Sequence, residues 1–132
     1  MRIRVKDFMS NSVITAEGEI SVGEIRKLME RERIHAIPIL GPVEESIHIE
    51  TALQGIVTVT DLCRVVDDTI PVKEVLITSL VHVISKNTGA KSAAKMMIKH
   101  KVHHLIVMED GKIIGMVSSL DFVKLVAKHG LD

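Results

Sequence analysis

Three features of this 132-residue sequence predict an α/β fold in which one unit is written twice. The motif Gly55-Ile-Val-Thr58-Val-Thr-Asp61 returns as Gly115-Met-Val-Ser118-Ser-Leu-Asp121, with glycine, hydroxyl residue and Asp each 60 positions further on (115 against 55). Each motif passes from strand-forming residues into an apolar stripe at helical spacing, Leu62, Val65 and Val66 in one copy and Phe122, Val123 and Val126 in the other. Each is also preceded by a helical pattern, a histidine and a strand. The chain therefore divides into residues 1–69 and 70–132.

Taken in order, each half opens with a short helical turn, Val5 to Met9 in the first and Val72 to Leu76 in the second. Pro71 stands at a favoured first helical position. Phe8 and Met9 are placed to pack onto the body. The segments Val13-Ile14-Thr15 and Val81-His82-Val83 predict short strands. Ser21-Val-Gly-Glu24 is a capping-box pattern that opens a helix with Val22, Ile25, Leu28 and Met29 as its stripe. The second helix, from Gly89 to Lys101, carries Ala90, Ala93, Ala94, Met97 and Ile98. Strands follow from His35 to Leu40 and from His103 to Met108. Glu109-Asp-Gly-Lys112 reads as a tight hairpin turn. The first copy is eight residues longer between its histidine and its glycine (20 from His35 to Gly55, 12 from His103 to Gly115), which predicts an extended hairpin over 41–54, the place for a docking arm. Gly130 ends the last helix.

Composition narrows the function. Lys plus Arg and Asp plus Glu are 17 each, so no net field draws the chain to nucleic acid or an anionic membrane. Trp and Tyr are absent and only Phe8 and Phe122 are aromatic, which disfavours base stacking on rings. No apolar run reaches a membrane span of about 18 residues, and the first residues lack the apolar stretch of a signal peptide. The lone Cys63 forms no internal disulfide and fits a reducing cytoplasm, packed on its helix. His100, His103 and His104 have the spacing of metal ligands, but they straddle a helix end and a strand start, with no Cys or acidic cluster beside them. A catalytic nucleophile with its base, or a phosphate-binding Gly-x-x-x-x-Gly-Lys loop, is missing, so the chain reads as a non-enzyme.

The repeated motif carries the chemistry. Its Asp falls at a helix start, next to a hydroxyl residue able to cap it: Thr60, Ser118 or Ser119. At such a terminus free N–H groups and the macrodipole favour an anion, so a phosphate can dock beside Thr58 or Ser118. The two oxygens of Asp61 or Asp121 can accept both hydroxyls of a ribose edge. Gly55 and Gly115 let a ligand or another backbone approach closely. Taken singly, each copy is an ordinary helix start; the same spacing kept in two diverged copies points to a nucleotide cleft. Arg64 and Lys124, each three residues after the Asp, lie where a helix surface would offer them to phosphates or to a weak ion pair.

The ordered series of strand, helix with an Ala/Met stripe, His-x-x-Pro-like strand, strand, Gly-h-h-[Ser/Thr]-x-x-Asp and helix resembles the CBS domain, here in tandem as in a Bateman module. The resemblance implies two βαββα repeats related by a pseudo-twofold, with sheets packed face to face and clefts between them. It also implies an adenosyl ligand (AMP, ADP, ATP or S-adenosylmethionine), a homodimer, and regulation of a partner protein in trans. By the same resemblance Asp61 and Asp121 take the ribose, Thr58 and Ser118 the phosphate side, and Thr60 stands beside them. Ile34, His35 and Ala36 line the adenine, with Val102, His103 and His104 as their second-copy equivalents, and Thr15 supplies a hydroxyl at the start of its half. Val83 replaces that hydroxyl in the second copy and Ile106 replaces Pro38, so the two sites are expected to be unequal, the Asp61 site being the more family-like. The competing expectation is a ligand-free dimerisation or docking module.

Overall fold

Each sequence repeat yields one three-stranded sheet and two helices, in matching order. The structure is a computed structural model that describes residues 2–42, 51–76 and 81–131. Two packed units result, unit 1 formed by residues 1–13 with 82–132 and unit 2 by residues 14–81.

In unit 2, β1 (Ala16–Glu17) pairs parallel with β2 (Ala36–Pro42), and β2 pairs antiparallel with β3 (Thr51–Thr58). Helix α1 (Val22–Glu32) lays Val22, Ile25 and Met29 against Ile37, Ile39 and Val57. Unit 1 repeats the plan with β4 (Val83–Ile84), β5 (His104–Glu109), β6 (Lys112–Ser118) and α3 (Ala90–His100), whose Ala93 and Met97 cover Leu105, Val107 and Val117. The central strands β2 and β5 hold unbroken runs of buried residues, Ala36 to Ile39 and Leu105 to Val107, so both of their faces are covered. The predicted strands thus exist, although β1 and β4 begin three and two residues later than the apolar segments suggested.

Symmetry extends to irregular details. Both ladders slip by one residue at the motif glycine: Gly55 faces Ile39 and Leu53 faces Leu40, leaving Gln54 extra, while Gly115 faces Val107 and Ile113 faces Met108, leaving Ile114 extra. Such a bulge re-aims the strand that leads into the site. The close approach at Gly115 comes from the chain itself: a Cβ there would stand 2.5 Å from Met9 Sδ and 3.0 Å from the Ser10 carbonyl. Helices α1 and α3 both end on a left-handed residue, Arg33 (φ 55°) and Lys101 (φ 54°), with Ile34 N–H and Val102 N–H donating back to Met29 O and Met97 O. Asp110 and Gly111 take positive φ in the β5–β6 hairpin, as a two-residue turn with right-handed strand twist requires. In the first repeat, Gly41 and Pro42 pair with Ala52 and Thr51, but residues 43–50 of the predicted 41–54 hairpin lie outside the described residues.

The packed units and the sequence halves are different partitions of the chain. The turn at Val5–Asp7 belongs to the first half in sequence, yet Val5 is buried in the core of unit 1, with Val5 N–H donating to Thr88 O (2.8 Å) and Ala90 N–H to Ile3 O (2.9 Å). Correspondingly, the turn at Val72–Val75 closes unit 2: Val72 N–H donates to Ile20 O (2.8 Å) and Val22 N–H to Ile70 O (2.9 Å).

The copies diverge after the motif. Helix α4 (Ser119–His129) runs eleven residues, whereas α2 (Val59–Leu62) stops after four. Arg26 of α1 explains the stop: its guanidinium donates to the carbonyls of Leu62 (3.0 Å) and Val65, and its Nε to Asp68 (2.9 Å). The guanidinium thus occupies acceptors at the end of α2, where the Leu62 carbonyl also receives Val65 N–H (3.1 Å) in a three-residue turn in place of an α-helical bond. The equivalents of Arg26 and Asp68 in the second copy are Ala94 and Lys128, which cannot form the clamp. Arg64 therefore lies past the helix end instead of on its surface three residues from Asp61, and Val66, expected on the apolar stripe, is 95% exposed.

We predict that Arg26→Ala destabilises the protein by about 1–2 kcal/mol, given half-exposed charge-assisted hydrogen bonds. The loss is to be read by urea unfolding, with amide exchange accelerated at residues 62–68. Unchanged exchange there would show that the clamp does not end α2.

Candidate functional site

The register of each sheet gathers the predicted residues at one end. Strands β1 and β2 start there and β3 finishes there, so Thr15, the Ile34–Ala36 segment and Thr58 share one edge of unit 2. In unit 1 the same edge holds Val83, the Val102–His104 segment and Ser118. Backbone bonds tie the histidine segment to the following helix, Val59 N–H donating to His35 O and Ser119 N–H to His103 O, both at 2.9 Å.

At this edge the motif forms a reciprocal capping box in both copies. Thr58 is the N-cap of α2: its Oγ1 accepts from Asp61 N–H (3.2 Å), and Asp61 Oδ2 accepts from Thr58 N–H (2.9 Å). Ser118 and Asp121 do the same at 3.3 and 2.8 Å. The cap thus falls two residues before the expected Thr60, which is exposed in the helix, and Ser119 instead meets His103 Nδ1 at 3.2 Å. Each hydroxyl accepts in the cap and keeps its own proton to donate. Each carboxylate keeps Oδ1 beyond the cap. Both Asp residues are half-buried.

The helix dipole differs between the copies. Helix α4, eleven residues long, presents a real N-terminus behind Ser118, with Lys124 exposed one turn on; the single turn of α2 has little dipole to offer. Thr15 and Val83 are both exposed at the edge, so they differ by the hydroxyl alone. Replacing Pro38 by Ile106 also changes a backbone bond. Ile106 N–H donates to His82 O at 2.9 Å, and proline has no N–H with which to do the same for the Ile14 carbonyl.

A groove of about 510 Å³ lies in unit 2 between the C-terminal half of α1 and α2, lined by Arg26, Arg33, Ile34, His35, Val59 and the exposed Cys63, among others. It shares Ile34 and His35 with the predicted set, but Thr58 and Asp61 are not in its lining. Arg26 reads in sequence as a solvated helix charge, and only comparison of the copies (Ala94 at the same place) marks it as different. His100 stacks on His82, with centroids 4.0 Å apart and planes 19° from parallel, instead of joining His103 and His104. Among the described residues no three His, Cys, Asp or Glu side chains are placed to hold a metal ion, and no helix is long and apolar enough to cross a membrane.

Comparison with known proteins agrees with this architecture. The sequence profile of the CBS domain matches residues 5–68 and 72–128. The chain is 28% identical over 114 residues to an uncharacterised protein of Methanocaldococcus jannaschii, covering 85% of this chain and 60% of that protein. It is 31% identical over 108 residues to inosine-5′-monophosphate dehydrogenase of Staphylococcus aureus, covering 82% of this chain and 21% of the enzyme. The chain thus spans less than two thirds of the curated relatives it matches. A crystallised CBS domain pair in complex with 5′-methylthioadenosine and S-adenosyl-L-methionine superposes with a TM-score of 0.81 at 25% identity, covering 97% of this chain and 98% of that one.

Two expectations follow from the geometry. Thr58→Ala and Ser118→Ala each cost about 1 kcal/mol of stability without any ligand, because each removes a cap; thermal denaturation measures this, and a neutral result would leave the hydroxyls with no structural role. Burial, and then the neighbouring His100, lower the pKa of His82. The unfolded chain therefore takes up this proton first as pH falls, and stability drops below about pH 6.5 until the depressed folded pKa is reached. His82→Gln is expected to flatten the melting temperature on that acid side; an unaltered profile refutes the assignment.

Proposed function

The chain belongs to the CBS domain family, and we propose that it is a regulatory sensor of an adenosyl ligand: AMP, ADP, ATP or S-adenosylmethionine. The observation that carries this reading is the doubled capping box with capacity to spare, a hydroxyl proton and a second carboxylate oxygen presented together at one sheet edge in each copy. Asp61 or Asp121 accepts ribose hydroxyls through Oδ1, and Thr58 or Ser118 donates to a phosphate or other polar group beyond the ribose. The adenine lies along Ile34, His35 and Ala36, or Val102, His103 and His104. Ile34 N–H and His35 O are engaged within the fold, so base recognition uses the Ile34 carbonyl and the His35 N–H. At the first copy Thr15 and the Ile14 carbonyl, which Pro38 cannot bond, add polar contacts absent at the second.

The two copies then have different strengths. The Asp61 site is richer in contacts to base and ribose. The Ser118 site, with the longer helix and Lys124 beside it, is better suited to phosphate charge. Arg64 is left with a lesser part, since it lies beyond the end of α2. Binding is regulatory instead of catalytic and acts on a cytoplasmic partner protein in trans, and the protein works as a homodimer. The ligand shifts the partner's response only by its differential affinity for the two states of the sensor.

A second reading, a ligand-free dimerisation or docking module, has one observation in its favour. The capping boxes give both Asp residues a purely structural task, so their presence in both copies is explained without a ligand.

The ultraviolet spectrum of purified protein is the first test, because without Trp or Tyr strong absorbance in the nucleobase band belongs to a bound ligand, which mass spectrometry then names. Calorimetric titration with AMP, ATP and S-adenosylmethionine follows. Asp61→Asn and Asp121→Asn keep an oxygen for the cap but lose an acceptor, so each is expected to weaken binding at its own site by about tenfold or more with little change in melting temperature. No binding of any of the three ligands moves the conclusion to the docking module.

A further inference from the structure

Helices α1 and α3 are the same element of the duplicated unit, eleven residues each, and their solvent faces have diverged in one direction. On α1 charge is mixed and answered: Lys27 pairs with Glu24, Arg31 with Glu32, and Arg26 with Asp68. At the matching places of α3 (98 against 30), Lys27 and Arg31 are kept as Lys95 and Lys99, but every acid is gone. Glu24, Glu30 and Glu32 have become Ser92, Ile98 and His100, and Gly23 has become a further cation, Lys91.

The resulting face works against the helix that carries it. Lys91, Lys95 and Lys99 are exposed and four residues apart, so neighbouring ammonium groups sit about 6 Å apart along the axis and repel. Lys91 also stands in the first turn, where the macrodipole disfavours a cation, and α3 has neither a side-chain cap nor an acid there to offset it. None of the three lysines has an ion-pair partner among the described residues. Ile98 lies on the same face, three residues from Lys95, and is 77% exposed, while Ala93 and Met97 supply the buried side of the helix. A face that met only water would gain nothing from charges of one sign set around an isoleucine; such breaches of local preference belong to functional surfaces.

We propose that this face of α3 is the dock for the regulated partner protein, and that the segment it takes is an acidic amphipathic helix. This rests on the action in trans included in the function above, and adds the surface and the chemistry it recognises. Carboxylates at every fourth position of a helix repeat at the same spacing of about 6 Å as Lys91, Lys95 and Lys99, and an apolar residue on the same stripe covers Ile98. Docking thus removes what is unfavourable in the free helix: the lysines are answered and the isoleucine leaves water. Nucleic acid fits less well, because the chain as a whole has no net charge to attract a polyanion, and the face spans only about 12 Å and holds no arginine or aromatic side chain. An anionic membrane asks for a broad apolar face, and Ile98 is the one large exposed apolar side chain of α3.

The test titrates the ¹⁵N-labelled full chain with a synthetic Glu-Ala-Ala-Leu repeat peptide of about sixteen residues, long enough to form helix in water, and follows the amide shifts. Shifts are expected to concentrate at residues 90–101. Affinity is expected to fall about tenfold or more as salt rises from about 0.1 to about 1 M, where the Debye length shrinks from about 10 to about 3 Å. The decisive variant is Lys95→Glu, which turns both repulsive pairs of the face into attractive ones. Its melting temperature is expected to rise while its affinity for the peptide falls about tenfold. Unchanged affinity in that variant overturns the dock. So does equal binding of a peptide of the same composition with its Glu and Leu scattered around the helix, which marks charge attraction alone. Tighter binding of duplex DNA, or of phosphatidylserine–phosphatidylcholine vesicles, through the same amides overturns the acidic helix as occupant. A chain that binds an adenosyl ligand and ignores the peptide loses the dock and keeps the sensor; a chain that binds the peptide and no adenosyl ligand keeps the dock and loses the sensor.

Discussion

The structure turns on a pair of bonds made twice, the exchange between a hydroxyl residue and an Asp three positions later at the corner where the last strand of each sheet becomes a helix. A helix start leaves backbone N–H groups without partners, and a strand running straight into a helix has no loop in which to satisfy them. Thr58 with Asp61, and Ser118 with Asp121, solve this with two side chains. The solution fixes the rotamers of the atoms that a ligand would meet. Binding therefore need not pay to order them, which is the advantage of building a site on the ends of regular elements. The same economy gives each residue two tasks. A residue that caps a helix is needed for folding whether or not it touches a nucleotide, so its presence in both copies weighs less than the sequence alone suggested.

Around that corner, the lead-in turns cross between the sequence halves. Val5 completes the core of unit 1 and Val72 that of unit 2, each through the same backbone bonds to the loop ahead of the helix. Neither half of the sequence, cut at residue 69, contains a complete core. Each buried valine is worth on the order of 2 kcal/mol, a sizeable share of the stability of units this small. The repeat that the sequence displays is thus a unit of duplication, and the unit that packs includes a turn from the other half.

Much of this was legible in the residues. The helices α1, α3 and α4, the strand order and the hairpin at Asp110-Gly111 follow from periodicity and turn chemistry, which act locally. The length of α2 was not legible, because it is decided by Arg26, 36 positions before Leu62, through a tertiary bond that no local propensity encodes. The cap position was misjudged for a related reason: Thr58 and Thr60 are both competent, and only the backbone path, with Thr58 extended at ψ 163°, selects between them. The glycine of the motif likewise answers to Met9 and Ser10 in the second copy, a neighbour supplied by the crossing turn.

Charge gives the sharpest separation between composition and structure. Equal numbers of cations and anions exclude a net monopole. The balance is not uniform along the chain, however: unit 1 holds eleven Lys and Arg against five Asp and Glu, and unit 2 six against twelve. The duplication left the two units with the same order of elements, while substitution gave one a helix of lysines and the other a set of matched ion pairs.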